Sequence, residues 1–152
     1  MALNVRIELA DTDEIVIRCR KVNADAYALQ SAIENAVQSE QYITLLSGST
    51  EYFVRRDEIL FFESSDGKVY AHTADKTLVA PYKLFELEAL MPPYFVRVSK
   101  SVIANINHIG SLKREVVGNG ELLFRGCDKK TYFSRAYYKL LRYKIEEMRL
   151  KK

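Results

Sequence analysis

The stretch Phe95-Val96-Arg97-Val98-Ser99-Lys100-Ser101-Val102-Ile103-Ala104-Asn105-Ile106 begins and ends like a buried β-strand but carries polar residues in its middle. In an extended strand, alternate side chains face opposite sides, so a regular strand would place Lys100 on the same side as Val98 and Val102. Burial of an unpaired ammonium group costs several kcal/mol. We therefore predict a β-bulge or a strand end near Ser99–Lys100 that turns the lysine outward. A loop edge would then present four groups of the kind that bind phosphate oxygens and base edges: Arg97, Ser99, Lys100 and Ser101.

A second polar cluster lies nearer the C-terminus. The segment KKTYFSR, residues 129–135, ends a predicted strand and leads into a basic helix that begins at about Arg135. Ser134 has a residue type preferred at helix N-caps, and Arg135 would lie in the first turn, where an anion would also meet the helix dipole. Taken singly, these residues are explained by a cap and a surface charge.

The positive charge of the chain is concentrated in its last third. Residues 95–152 carry 14 Lys and Arg against 5 Asp and Glu, whereas residues 1–41 carry 4 against 7 and residues 42–94 carry 5 against 8. This asymmetry is typical of a surface that faces polyanions, although an ordinary solvated basic face would have the same composition. Combined with the two polar clusters, it favours contact with nucleic acid.

The spacing of apolar residues predicts a mainly β chain with some α-helix, divided into two parts. Residues 42–152 are predicted to form a hairpin-rich antiparallel β-domain with one or two helices, and Asp66-Gly67 and Asn119-Gly120 have the residue types of tight hairpin turns. Residues 1–41 are predicted to form a small β-β-α unit whose helix begins at Asn23 or Asp25 and ends near Gln38. We interpret this unit as a packing, dimerisation or partner-binding element.

Enzymatic chemistry has little support in the sequence. The chain has two histidines and two cysteines, and none of them has the spacing of a metal site or a redox motif. The only glycine-rich candidate for a phosphate loop, residues 118–120, is better explained as a hairpin. We predict a protein that is not an enzyme and has no cofactor, no metal and no membrane insertion. Because the N-terminal residues lack the pattern of a secretory signal, we expect a cytoplasmic location.

The order of the motifs resembles the LytTR-type DNA-binding domain of bacterial transcriptional regulators, over approximately Ile43 to Ile145. The most specific block is residues 95–106, which is similar almost throughout to the family pattern F-x-R-[VC]-H-[RK]-S-[YF]-[IL]-[VA]-N. Three weaker motifs occur in the family's order: ILFFES (residues 59–64) with the Asp66-Gly67 turn, a helix over Leu84–Leu90 that ends near Pro92, and Ser134-Arg135 followed by an aromatic residue and a closing helix.

The resemblance implies an elongated antiparallel β-sheet fold that binds double-stranded DNA through three loops instead of a recognition helix. Carried over by position, the loops supply Asp66, Gly67 and Lys68, then Arg97, Ser99, Lys100 and Ser101, then Ser134, Arg135 and Ala136. This chain departs from the family at two of these positions: Ser99 stands where many members have His, and Ala136 stands where a polar or basic residue is common. Lys100 occupies a usual cationic position but lacks the bidentate fork of Arg. The target sequence of a relative is therefore not transferable.

The leading hypothesis is a sequence-specific transcriptional regulator that binds duplex DNA as a homodimer on repeated half-sites. With about 41 residues before the domain, we expect the phosphoacceptor receiver domain of many relatives to be missing. An alternative is a protein-interaction or regulatory module, in which the acidic, amphipathic residues 1–41 bind a membrane-associated regulatory partner and DNA binding is secondary. A third hypothesis, RNA binding, requires a preference for single-stranded or A-form RNA over duplex DNA.

Overall fold

The computed structural model describes residues 5–39, 41–115 and 119–150, and the chain divides into two units after Ser39. The smaller unit contains helix α1, Ala24–Ser39. Asn23 caps this helix, because its Oδ1 accepts a hydrogen bond of 3.1 Å from the backbone N–H of Ala26. The predicted helix is confirmed, and of its two candidate caps Asn23 makes the capping bond.

The two strands predicted before α1 are wrong for the part of the chain that is described. Residues 5–22 form no strand, and Val5, Ile7 and Leu9 are 94% exposed or more. The prediction relied on alternating apolar and polar residues, which indicate that a segment could form a strand but do not provide a surface to cover its apolar side. A two-stranded hairpin without such a cover is at best marginally stable in water.

The larger unit consists mainly of antiparallel strands, as predicted. The strands described are β1 (Tyr42–Ser47), β2 (Thr50–Arg55), β3 (Phe61–Ser65), β4 (Lys68–His72), β5 (Thr77–Ala80), β6 (Phe95–Ser99), β7 (Val102–Asn105), β8 (Ile109–Arg114), β9 (Gly120–Phe124) and β10 (Lys130–Phe133). They form a seven-stranded sheet in the order β2-β1-β5-β4-β3-β7-β6 and a three-stranded sheet in the order β10-β9-β8. The two α-helices described in this unit are α2 (Leu84–Leu90) and α3 (Tyr138–Leu150).

Two hydrophobic clusters lie on opposite faces of the large sheet. Phe62 belongs to the cluster under α2, whereas its neighbour Phe61 belongs to the cluster shared with the small sheet and α3. The central strands are therefore buried on both faces, and all four residues of β7 are buried. Two-sided burial explains why these strands are almost continuously apolar instead of alternating.

The turn between β8 and β9 differs from the sequence prediction, which placed it at Asn119-Gly120. Gly120 is instead the first residue of β9, where it pairs with Arg114 of β8 and Phe133 of β10. A Cβ at Gly120 would lie 2.2 Å from the Phe133 ring and 2.5 Å from the carbonyl oxygen of Lys113. The glycine is thus required by close packing rather than by turn geometry, and Gly118, the first residue of the segment interpreted above as a hairpin, lies outside the described residues.

Candidate nucleic-acid interface

The end of β6 contains the irregularity predicted from its sequence. Arg97 pairs with Ile103 and Ser99 pairs with Val102, so β6 has one residue more than β7 between these two pairs. The extra residue, Val98, is fully buried, whereas Lys100 lies in the following turn and is exposed. The predicted bulge is confirmed: it keeps the valine in the core and turns the lysine into solvent.

Two backbone hydrogen bonds bring together the three loops named from the sequence. The N–H of Ser64, at the end of β3, donates to the carbonyl oxygen of Ser101 over 2.8 Å, which joins the β3–β4 turn to the β6–β7 turn. The N–H of Ser134 donates to the carbonyl oxygen of Val98 over 2.9 Å, which joins the segment after β10 to the end of β6. We call residues 65–68, 99–101 and 134–136 the three-turn surface.

Three cations on this surface have free side chains. Lys68, Lys100 and Arg135 are exposed, and in the described part of the chain no hydrogen bond or ion pair engages their side chains. By contrast, Lys130 pairs with Glu121 at 3.3 Å. Cations held by a rigid β-framework without an internal partner can neutralise an external anion without first breaking a contact.

Arg97 behaves differently from these three cations, because its guanidinium group is used inside the fold. Its side chain is 22% exposed; Nε donates to the carbonyl oxygen of Ser99 over 2.8 Å and Nη2 to that of Lys100 over 2.5 Å. Its Nη1 pairs with the carboxylate of Glu88 in α2. Arg97 therefore braces the β6–β7 turn instead of projecting freely from it.

The two serines of the same turn also contact each other. The N–H of Ser101 donates to Oγ of Ser99 over 3.2 Å, and their hydroxyl oxygens are 3.4 Å apart. Ser99 is half-buried and Ser101 is exposed. Ser99 thus shapes the turn, and Ser101 presents a hydroxyl group beside Lys100.

Ser134 occupies the predicted position but does not make the predicted side-chain cap. A 3₁₀ turn, Arg135–Tyr137, precedes α3, and the carbonyl oxygen of Ser134 accepts a hydrogen bond of 3.1 Å from the N–H of Tyr137. The Ser134 side chain makes no capping bond to this turn. Arg135 consequently lies in a single tight turn, not in the first turn of a long helix.

Sequence reasoning missed two residues close to this surface. Glu88 pairs with Arg97 from a different element, and nothing in its sequence context indicates that contact. Arg114 is the last residue of β8 and pairs with Gly120 of β9. Gly120 pairs in turn with Phe133 of β10, the residue before Ser134. Its guanidinium carbon lies 4.4 Å from the Tyr138 ring centroid, so this cation is positioned by the start of α3.

The two histidines contribute to packing in the fold. His72 stacks on Phe61 with 4.1 Å between ring centroids, and burial together with the nearby Lys129 charge lowers its pKa to about 4. Nε2 of His108 lies 2.5 Å from the carbonyl oxygen of Asp57. Among the described residues no group of three or more His, Cys, Asp or Glu could hold a metal ion. Within those residues, no helix has the length and apolar character needed to cross a bilayer.

Comparison with known proteins identifies the family to which this fold belongs. Residues 49–146 match the LytTr DNA-binding domain, and the chain belongs to this family. The structure is similar to the LytTr DNA-binding domain of a response regulator from Bacillus cereus, with a TM-score of 0.64 and 24% identity over 69% of this chain and 96% of that one. The resemblance found in the sequence and the fold class it implies, mainly antiparallel β-sheet with few helices, are confirmed.

Relatives of nearly the same length occur in Staphylococcus aureus. Uncharacterized HTH-type transcriptional regulators of strains NCTC 8325 / PS 47 and COL are each 25% identical over 146 residues, which is 95% of this chain and 98% of theirs. In the described residues of 40–152, however, α2 and α3 are separated by β6 through β10. These two helices therefore do not form the helix-turn-helix to which the relatives' names refer.

Proposed function

We propose that the protein is a cytoplasmic bacterial transcriptional regulator that binds specific duplex DNA through the three-turn surface. The observation that carries the proposal is the juxtaposition of Lys68, Lys100 and Arg135, exposed and unpaired, on adjacent turns of a LytTr DNA-binding domain. Lysine ammonium groups bind phosphates as point charges, whereas the fork of an arginine also matches the acceptor pair of guanine in the major groove. Lys68 and Lys100 are accordingly assigned to the DNA backbone and Arg135 to a base edge.

The remaining residues of the surface have supporting roles in this proposal. Ser101 donates its hydroxyl to a phosphate oxygen, and Ser134 brings its hydroxyl to the same groove as Arg135. Ser99 and Arg97 hold the β6–β7 turn in the shape that presents Lys100. A framework that fixes these turns before binding reduces the ordering cost of complex formation.

The first experiment identifies the target and tests the surface. Purified full-length protein is used to select fragments of bacterial genomic DNA, and the selected site is then titrated with variants at several salt concentrations. Arg135→Ala should weaken binding by about 1–3 kcal/mol and relax specificity at one position. Lys68→Ala and Lys100→Ala should each weaken binding to all sequences and reduce the slope of log K against log salt by about 0.9.

The matched control is Arg125→Ala. Arg125 is an exposed cation of the same basic third of the chain. It follows the last residue of β9, whereas the three-turn surface lies near the first residue of β9, Gly120, which pairs with the residue before Ser134. Its removal should leave DNA affinity nearly unchanged. If Lys100→Ala and Arg135→Ala bind the selected DNA as tightly as wild type while remaining folded, the assignment of the surface is wrong. A preference for A-form or single-stranded RNA in direct competition would favour RNA binding instead.

A specific observation favours a second function for the smaller unit, namely binding of a regulatory protein partner. Val5, Ile7 and Leu9 are almost fully exposed in the described structure and alternate along the chain. An apolar patch that they form on one side of an extended segment would be a site for a partner. Replacing Ile7 and Leu9 by Asp in the full chain should abolish binding of such a partner and leave affinity for a single DNA half-site unchanged. A loss of half-site affinity in this variant would contradict separate roles for the two units.

A further inference from the structure

Strand β2 forms one edge of the seven-stranded sheet. It pairs with β1 from Tyr42–Arg55 to Ser47–Thr50 without a register shift, and no other described strand pairs with its outer side. Tyr52 and Val54 pack against the core, whereas Glu51, Phe53 and Arg55 face solvent. The outer side of this six-residue strand therefore presents backbone hydrogen-bonding groups that could pair with another strand.

This edge lacks two of the features that usually prevent strand association, a proline and a bulge. Its central side chain, Phe53, is 71% exposed. Tyr42, which lies on the adjacent strand opposite Arg55, is 46% exposed. A regular edge strand with an exposed aromatic residue at its centre is a typical site of strand-to-strand pairing.

The arrangement of charges around Phe53 indicates what the edge can pair with. Glu51 and Arg55 lie two residues before and two residues after Phe53 on the same face. If a second copy of β2 lies antiparallel with Phe53 opposite Phe53, each Glu51 lies opposite the Arg55 of the other copy. Shifting the second copy by two residues in either direction removes both Glu–Arg pairs, and in one direction it also places Glu51 opposite Asp57. The strand is thus complementary to itself in one register.

We propose that two copies of this protein associate through their β2 edges, in an antiparallel pairing centred on Phe53. A two-fold axis through this point makes the interface isologous and extends both large sheets into one continuous sheet. Cross-strand aromatic and opposite-charge pairs at directly opposed positions both stabilise antiparallel pairing. The interface does not use the three-turn surface, so the inference does not depend on DNA binding.

One existing contact must yield for this pairing. Arg55 donates to both carboxylate oxygens of Asp57, at 3.1 and 2.9 Å, and this ion pair keeps the pKa of Asp57 below its usual range. Both side chains of the pair are about half exposed. Exposed ion pairs contribute little to stability, so Arg55 can exchange Asp57 for Glu51 of the second copy at small cost. Glu51 has no partner within the described chain.

Sedimentation equilibrium of the full-length protein without DNA tests the proposal. Wild type should show a concentration-dependent dimer, because a pairing of two short strands buries a small area. Glu51→Arg and Arg55→Glu should each raise the dissociation constant about tenfold or more, since symmetry places each substitution at two like-charge pairs. The double variant Glu51→Arg/Arg55→Glu should recover most of the wild-type affinity, because it recreates two opposite-charge pairs.

Phe53→Ser and Phe85→Ser form a matched comparison. Phe85 lies on α2 and is 67% exposed, close to the 71% of Phe53. Phe53→Ser should weaken the dimer about tenfold, and Phe85→Ser should not change it. Thermal melts confirm that each variant is folded, and Glu51→Arg provides a test in which no internal contact is lost. A monomeric wild type, or a dimer that is unaffected by Phe53→Ser and by both single charge reversals, would overturn the proposal.

Discussion

Arg97→Ala tests whether Arg97 positions the β6–β7 turn or binds DNA itself. In the fold, the guanidinium group of Arg97 donates to the carbonyl oxygens of Ser99 and Lys100 and pairs with Glu88. The substitution removes all three contacts at once. Because the two carbonyl groups lie at the edge of the sheet, water can replace the lost donors, and the turn should become mobile while the sheet stays intact.

The expected magnitude follows from these contacts. Hydrogen bonds with a charged partner contribute about 1.5–3 kcal/mol each, and an ion pair this exposed adds less than about 1 kcal/mol. With water replacing the lost donors, we expect a loss of about 2–3 kcal/mol in the free energy of unfolding. Restoring order to two residues of the turn on binding costs about 1 kcal/mol each, so DNA affinity should fall about thirtyfold.

Fluorescence anisotropy at several salt concentrations separates the two roles of Arg97. Loss of a positioning residue should weaken binding without changing the salt slope, whereas Lys100→Ala should lower the slope by about 0.9. In a Lys100→Ala background, Arg97→Ala should have a smaller effect, since the residue that it positions is gone. Arg125→Ala is the control, because this arginine also donates to a backbone carbonyl, that of Asn107 at 3.2 Å, away from the surface. A reduced slope for Arg97→Ala with fully additive effects would refute the positioning role.

Three further predictions concern stability. The lowered pKa of His72, about 4, means that the unfolded chain binds more protons than the folded chain between pH 6.5, the ordinary pKa, and pH 4. Stability should therefore fall by on the order of 2 kcal/mol as the pH is lowered from 6.5 to 4, as measured by urea unfolding. His72→Gln should lack this component even though Glu63 lies 3.6 Å from Nε2 of His72. Gly120→Ala should destabilise the fold by about 1–3 kcal/mol in the same assay, because the added methyl group overlaps the Phe133 ring; wild-type stability would show that the small sheet adjusts freely. Asn105→Ala should cost about 2–3 kcal/mol, since the buried Asn105 amide donates to the carbonyl oxygen of Ile59 over 3.0 Å and its loss leaves that oxygen unpaired; an unchanged midpoint of thermal unfolding would contradict this role.

Local patterns in the sequence were sufficient for much of the fold and for the location of the candidate surface. The conflict between Lys100 and its valine neighbours predicted the bulge, because the cost of burying a charge is a local property of the residue. Asp66-Gly67 forms the turn between β3 and β4, with φ values of 52° and 77° that favour these residue types. The specific block at residues 95–106 indicated the family. Each of these inferences depends on a few consecutive residues and the geometry of one strand or turn.

Contacts between distant residues were decided only by the tertiary structure. Glu88 and Arg97 belong to different elements, and their pairing engages inside the fold a guanidinium group that the sequence alone had suggested for DNA. Gly120 matches a turn signal in sequence, yet its neighbours across two strands require it inside a sheet. The alternating residues before α1 have the pattern of strands but form none in the described part. The physical reason is the same in each case: periodicity in the sequence specifies which face of a strand prefers water, whereas strand order and register determine which residues pack against the other face.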